Sequence, residues 1–427
     1  MQAGRPVAPR RLNVLIVADV GFPYGTGASS RVFNYARGLQ TAGARVKVIC
    51  VEPSWGASTL NVAARGDYEG VPFEYTCGQT IRPSSFAHRR LLKLAKWPRF
   101  VLAARRWASE MGGLDAMLVY SRSLPWIAVA WLVCRLLHAT LLHEDCELPF
   151  VWKAETLSTR LNRWLYQRVA FRAFDGCLVI STYLEAYCRR YLRPGAGTLL
   201  VPILVDVAEV APDTDEAGQP DDRIAYCGNM DPEVQAAVEA FADLAQDFPG
   251  LRLQLIGGSW SSEATHELPA CVQQLGLADR VDLTGMVKRE DLFCLLRRAR
   301  ILMLPRASAA FSQAGLPTKV GEYLATGRPV VVSAVGDLPL YLSDGVDAYL
   351  ADSDAPHVFG DRLRDALLHP AEAAEIGRRG RETAKRCFDP STHGARILAF
   401  IADLRRFRAG EPARTSSEAD GPTGDSP

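Results

Sequence analysis

The sequence predicts an α/β chain folded as two doubly wound, parallel-sheet domains that face each other across a cleft, and three observations predict it. The chain has 427 residues, room for two domains or three at ~100–200 residues each. Short apolar runs alternate with amphipathic stretches in two separate series. Between the series lies 206–222, DVAEVAPDTDEAGQPDD, which is acidic, holds two prolines and has no apolar period, so it reads as a linker.

The first series opens with 12–18 (LNVLIVA), a continuous apolar run of the kind buried central strands carry. A helix is expected from about Ser30, with Val32, Tyr35, Ala36 and Leu39 on one face, ending at Gly43. Residues 45–51 (RVKVICV) return as a second strand and complete a βαβ unit. Further strands are expected at 115–120, 139–142, 176–180 and 199–201. Residues 124–142 form the longest apolar stretch, but Arg135 lies inside it, and a mid-bilayer charge costs ~2.5–3.5 kcal/mol even on lenient scales. It reads as a buried helix running into a strand, with a membrane-embedded segment as the alternative. The second series has strands at 224–227, 251–256, 281–283, 301–304 and 329–333, with helices at 233–245, 263–275, 289–298 and 319–325 between them. A late amphipathic helix at 395–407 precedes a polar tail. The expected units are an N-terminal domain at 11–204 with the C-terminal helix 390–408 packed back on it, a linker at 205–222, and a second domain at 223–389. Residues 1–10 and 409–427 are expected to be disordered.

Composition narrows the function. Forty-nine Lys and Arg against 48 Asp and Glu give a formal charge of +1, which argues against a nucleic-acid binder. Ten cysteines without a C-x-x-C pair suit reduced thiols in the cytoplasm better than a disulfide framework or zinc site. The basic start runs into a strand rather than a signal peptide. The acid pairs Asp213-x-Asp215 and Asp352-x-Asp354 fall in the linker and in a turn, so no metal site is expected.

Two loops carry candidate chemistry. In 21–31 (GFPYGTGASSR) the small residues Gly25, Gly27 and Ala28 let backbone approach a ligand just before a helix, with Arg31 alongside. A dinucleotide reading, with Glu52 as the ribose acid, fails on Ser30 in place of the third glycine. The stronger segment is 315–331, GLPTKVGEYLATGRPVV. Pro317 suits a first helical position and Thr318 a cap. Gly315 and Leu316 lead into that helix start, Lys319 adds a cation for a diphosphate, and Glu322 lies one turn on, placed to accept ribose hydroxyls. The plain alternative is a helical Lys–Glu pair worth ~0.2–0.5 kcal/mol.

P-T-K-x-x-E-Y-L-A-x-G-x-P-V resembles the donor-site signature of GT-B glycosyltransferases, specifically the family 4 (group 1) enzymes, and the likeness runs from about Leu12 to Phe407. The fold this implies is GT-B, two Rossmann-like doubly wound domains facing across a cleft. Gly228 and Asn229 resemble the loop opening the family's donor domain, and Met286 and Val287 the segment whose backbone contacts the nucleobase. The resemblance implies a retaining, metal-independent, hexosyltransferase-like enzyme that moves a sugar from a nucleoside-diphosphate sugar to a hydroxyl acceptor, in polysaccharide, glycolipid or related glycoconjugate biosynthesis. No cofactor beyond the donor substrate is implied. Many family members carry a second glutamate eight positions before the ribose acid; here that position is Ala314. An epimerase of the same fold and a catalytically silent nucleotide-sugar-binding scaffold are the competing readings.

His143 and Glu144 follow the strand expected at 139–142, where open α/β sheets bind ligands. His143 is therefore a candidate acid/base group and Glu144 its partner; a capping cluster is the alternative. Asp19 is a weaker candidate, and Arg31 is equally read as a solvated first-turn residue. Residues 86–107 hold seven Arg or Lys among aromatic and aliphatic side chains, with no acid. This suits contact with an anionic membrane at the inner face of the cell, beside a lipid-linked acceptor. An ordinary amphipathic helix pair broken at Pro98 is the alternative.

Overall fold

A computed structural model describes residues 10–25, 27–53, 61–149, 156–211, 220–228, 230, 232–258, 262–352 and 355–410. The expectations for Thr26, Asp213, Asp215, Asn229, Asp354 and the two chain ends 1–9 and 411–427 lie outside the described residues. In chain order the first half holds β1 (Asn13–Ala18), α1 (Gly27–Thr41), β2 (Arg45–Cys50), β3 (Arg65–Tyr68), β4 (Val71–Tyr75), α2 (Phe86–Met111), β5 (Ala116–Tyr120), α3 (Leu124–Leu136), β6 (Thr140–Asp145), α4 (Leu157–Arg168), β7 (Gly176–Val179), α5 (Thr182–Tyr191) and β8 (Gly197–Leu200). The second half holds α6 (Val207–Val210), β9 (Asp221–Cys227), α7 (Pro232–Ala245), β10 (Arg252–Ile256), α8 (Ser262–Gln274), β11 (Val281–Gly285), α9 (Arg289–Arg298), β12 (Ala299–Leu304), α10 (Ala310–Ala314), α11 (Thr318–Ala325), β13 (Val330–Ser333), α12 (Leu338–Tyr341), β14 (Tyr349–Ala351), α13 (Pro356–Leu368), α14 (Pro370–Phe388) and α15 (Pro390–Arg408).

Two sheets result. The first has strand order β3-β4-β2-β1-β5-β6-β7-β8 and the second β11-β10-β9-β12-β13-β14. Every pairing is parallel except the β3–β4 hairpin. Central strands such as β1 are buried at every position, as expected for a sheet covered on both faces. In the first sheet α1 and α15 cover one face, where Val32, Tyr35, Leu39, Ile397 and Ile401 pack. The other face takes α2, α3 and the single-turn helix Ala170–Ala173 through Phe100, Trp107, Trp126 and Phe171.

α15 meets α1 at a glycine-on-glycine crossing. A Cβ on Gly38 would sit 2.1 Å from the Pro390 carbonyl, and one on Gly394 would sit 2.0 Å from the Gly38 carbonyl. Neither helix accepts a larger residue there without moving.

Four local expectations need correction. α2 is one helix through Pro98 rather than a broken pair. The lost hydrogen bond and ring clash cost about 3 kcal/mol, and burying Phe100, Trp107 and Met111 offsets this at about 1.5–3 kcal/mol each. α3 buries only its inner face, leaving Trp131, Leu132 and Leu136 exposed. Pro317 is the residue before α11, whose first member is Thr318, and no side chain caps that start. The linker's beginning is folded: Val205 N–H donates to the Phe388 carbonyl at 3.0 Å. Val207 and Val210 are buried, and Arg297 and Arg381 donate to the carbonyls of Val210 and Ala211. Among the described residues no helix is long and apolar enough to cross a membrane.

Candidate functional site

The signature segment lies where the two sheets face each other. β12 and α10 deliver the chain to Gly315, whose N–H donates to the Phe311 carbonyl. Leu316 is buried and α11 starts at Thr318. No side chain caps that start, and Val320 N–H donates to the Pro317 carbonyl at 3.1 Å. Tyr323 anchors the helix by accepting from Cys227 N–H at 2.6 Å and donating to its carbonyl at 3.3 Å. Across the gap the first domain presents another helix start. A Cβ added to Gly27, the first residue of α1, would sit 2.9 Å from Thr318 Oγ1. Two helix N-termini thus converge on one spot, and their partial positive charges are mutually unfavourable unless an anion lies between them.

Lys319 and Gly228 are in contact: a Cβ on Gly228 would fall 2.2 Å from Lys319 Nζ, which lies 5.6 Å from the Tyr226 ring centre. Gly228 N–H is itself committed to the Ile256 carbonyl. Glu322 is nearly buried, with 14% of its side chain exposed, and Arg289 Nη1 holds its Oε1 at 3.2 Å. Burial pushes the Glu322 carboxyl above its ordinary range, and Arg289 pulls it back. Met286 is exposed and covers Gly258, whose added Cβ would lie 3.1 Å from Met286 Cγ. Val287 packs on the core edge. In the facing loop, Ser29 Oγ donates to the Gly21 carbonyl at 2.6 Å beside Gly25, and Ala28 is the second residue of α1.

The acid/base expectation for the first domain needs correcting. β6 extends to Asp145, so His143 lies inside the strand, paired to Val119 and Cys177, instead of projecting from its end. Its side chain has no exposed surface, stacks on Phe174 at 4.5 Å, and binds the Tyr166 hydroxyl at 2.7 Å and the Val119 carbonyl at 3.3 Å. Burial, reinforced by Arg122, lowers its pKa to about 3. Neutral and enclosed, it is a core histidine with no route to a substrate. Glu144 and Arg31 meet as a buried ion pair. Arg31 is no solvated first-turn residue: it also donates to the Tyr35 hydroxyl and to the carbonyls of Val201 and Pro202. The pair ties α1 to the strand end and to the chain leaving the first sheet. Glu52 is likewise taken, by Lys96 and by Trp126 Nε1 at 3.1 Å. Asp19 accepts from Ser121 at 2.6 Å.

Residues 26–203 match the model described as "Glycosyl transferase 4-like domain", and residues 221–369 match "Glycosyl transferases group 1". The chain belongs to the group 1 glycosyltransferases. Curated relatives of this glycosyltransferase include D-inositol 3-phosphate glycosyltransferase of Segniliparus rotundus, 25% identical over 409 residues, with 89% of this chain and 86% of that one aligned. The Streptomyces avermitilis enzyme of the same name is 30% identical over 207 residues, 45% and 43% of the two chains. Among solved structures, sucrose-phosphate synthase from Thermosynechococcus elongatus superposes with TM-score 0.69 at 20% identity, covering 93% of this chain and all of that one. HepE from Anabaena, solved with UDP-glucose, gives TM-score 0.66 at 15% identity over 92% and 100%. These likenesses establish the GT-B fold.

Sequence reasoning passed over three groups that the glycosyltransferase brings to its cleft. Arg289 joins Glu322 to Glu209 and to Ser30 Oγ, at 3.2, 2.5 and 3.0 Å, and so spans both domains. At the cleft's other end Ser181 Oγ donates to the Ala314 carbonyl at 2.5 Å. The Asp337 carboxylate receives Thr182 N–H and Oγ1–H, each at 2.7 Å. Arg289 gave no signal because it opens an amphipathic helix full of charges, and only distance in space separates it from Arg297 or Arg298. Ser181 follows the strand expected at 176–180, and nothing in that run points to its partner in the other domain.

Proposed function

We propose that this glycosyltransferase holds its nucleoside-diphosphate sugar on the second domain (223–389) and its hydroxyl acceptor on the first (11–204), with the diphosphate between the starts of α1 and α11. The convergence of Gly27 on Thr318, with Lys319 beside them, carries this reading. Transfer breaks the anomeric C–O bond and leaves negative charge on the departing diphosphate. Groups useful there are fixed cations and N–H donors, and these are what the site offers. Lys319 supplies the cation, the backbone at Gly315, Leu316 and Thr318 shapes the pocket, and Glu322, oriented by Arg289, accepts the ribose hydroxyls. Gly228, Met286 and Val287 line the nucleoside side. We propose that the reaction is metal-independent, since Lys319 and the helix ends stand where a diphosphate-bound cation would otherwise act, and that it is retaining, as the family resemblance implies. Ala314 contributes no carboxylate, so its segment serves by its backbone.

The location follows the same reasoning. We place the enzyme in the cytoplasm, working at the inner membrane face on a lipid-linked acceptor of polysaccharide or glycolipid assembly. The exposed outer part of α2, with Phe86, Arg90, Leu91 and Leu94 and half-buried Arg89, supports this. The inner part of that basic stretch has other work, with Lys96 on Glu52 and Arg106 on Glu74.

A thermal-shift panel of nucleoside diphosphates and their sugars, started with UDP and UDP-glucose, tests the donor assignment. At 100 times Kd the bound nucleotide adds ~2.7 kcal/mol of stability. A panel in which no nucleoside diphosphate moves the melt contradicts it.

A further inference from the structure

A second surface of the first domain is built inside out. α4, LSTRLNRWLYQR, buries one residue of its twelve, Tyr166. Its large apolar side chains instead face solvent at helical spacing: Leu157 is 82% exposed, Leu161 59% and Trp164 55%. Val169 continues the stripe at 55%. α3, packed with α4 on the turn at Ala170–Ala173, adds exposed Trp131, Leu132 and Leu136. Contiguous exposed apolar side chains of this size mark a contact surface. Charge selects what covers it. α3 and α4 carry Arg135, Arg160, Arg163 and Arg168 and no acid at all, in a chain whose formal charge is only +1. A second copy meeting the same face would bring arginines against arginines. An anionic bilayer instead accepts the apolar stripe among its acyl chains and the arginines among its headgroup phosphates.

We propose that α4, together with the outer face of α3, is a monotopic docking surface for an anionic lipid bilayer, with Leu157, Leu161 and Trp164 as the inserting residues. This extends the membrane reading given for α2 to a separate helix, and it is independent of the donor-site assignment.

The test is cosedimentation of the full chain with phosphatidylcholine vesicles, with and without phosphatidylglycerol, together with quenching of tryptophan fluorescence by brominated lipid. The chain should bind the phosphatidylglycerol vesicles and leave the neutral ones unbound. Leu161→Ser/Trp164→Ser should lower binding by about tenfold or more, while Trp164→Phe keeps it. Arg160→Gln/Arg168→Gln, both exposed, should weaken it severalfold and reduce its salt dependence. These side chains lie on the surface, so the melting temperature should not fall; should the serine pair unfold the chain, the arginine pair decides alone. Three results overturn the proposal: equal binding to neutral vesicles, full binding by both double variants, or a wild-type dimer in light scattering that the serine pair converts to monomer without vesicle binding. Glycosyl transfer is not part of the readout, so failure of the donor site would leave this result intact.

Discussion

Two charged centres sit near the carboxyl ends of the two parallel sheets, and they differ in what surrounds them. In the first domain Arg31, Glu144 and His143 lie at or below 4% exposure: Arg31 is spent on Glu144, Tyr35 and two backbone carbonyls, His143 on Tyr166 and the Val119 carbonyl, and Glu144 Oε2 keeps no hydrogen-bond partner among the described residues. In the second, Lys319, Glu322 and Arg289 sit at a helix start that faces another helix start. Both centres look alike as strings of residues, because histidine and carboxylates after a strand suit catalysis and packing equally. What separates them is whether the strand stops before the polar residues or runs through them. β6 runs through; β12 stops at Leu304, before the signature begins.

The contrast breaks first on stability. Arg31→Met leaves buried Glu144 without its cation, holding only the Tyr35 hydroxyl at 3.4 Å, and should cost about 3–5 kcal/mol, read as a lower denaturation midpoint. Arg31→Met/Glu144→Leu should recover part of that loss and retain transfer activity. A stable but inactive double variant would return Glu144 to the chemistry. Lys319→Ala should do the reverse, lowering kcat/KM by about 10²–10³ with the melt unchanged.

A smaller effect sharpens the second centre. Arg289→Met should weaken UDP binding by about tenfold, which is ~1.4 kcal/mol, and leave pyrophosphate binding unaffected, because Arg289 acts through Glu322 on the ribose. Equal loss for both ligands would make Arg289 a phosphate contact instead.

A last contrast concerns pH. His143 titrates at about 3 in the fold against an ordinary 6.5, so its contribution is present above 6.5 and is lost as pH falls towards 3. Asp145, raised by burial from 3.8 to about 7, works oppositely: the fold keeps its proton, and that contribution is lost as pH rises through 7. Asp145→Asn should therefore steepen the acid-side loss between 6.5 and 4 and raise the melt above pH 7. An unchanged profile in urea titrations would refute the buried-carboxyl account.

Much of the architecture was legible because it rests on local periodicity. The run at 12–18 could only be a buried strand, and the G-L-P-T-K pattern marked a helix start before any geometry was known. Features that depend on three-dimensional closure were not legible. Pro98 suggested a break, yet the buried Phe100 and Trp107 hold α2 together across it. Residues 139–142 suggested a short strand, because His143, Glu144 and Asp145 read as polar; His143 finds buried Tyr166 and Glu144 finds buried Arg31, both far away in the chain. Arg289 reaches Ser30, 259 positions away, and no spacing rule links them.

In the proposed donor site the facing starts of α1 and α11 close on a diphosphate. A crystal structure of the protein with UDP tests it most directly. Phosphate oxygens should lie within hydrogen-bond reach of the first N–H groups of α11 and of Lys319 Nζ, with the ribose on Glu322. A nucleotide bound elsewhere, with Lys319 and Glu322 untouched, would contradict it.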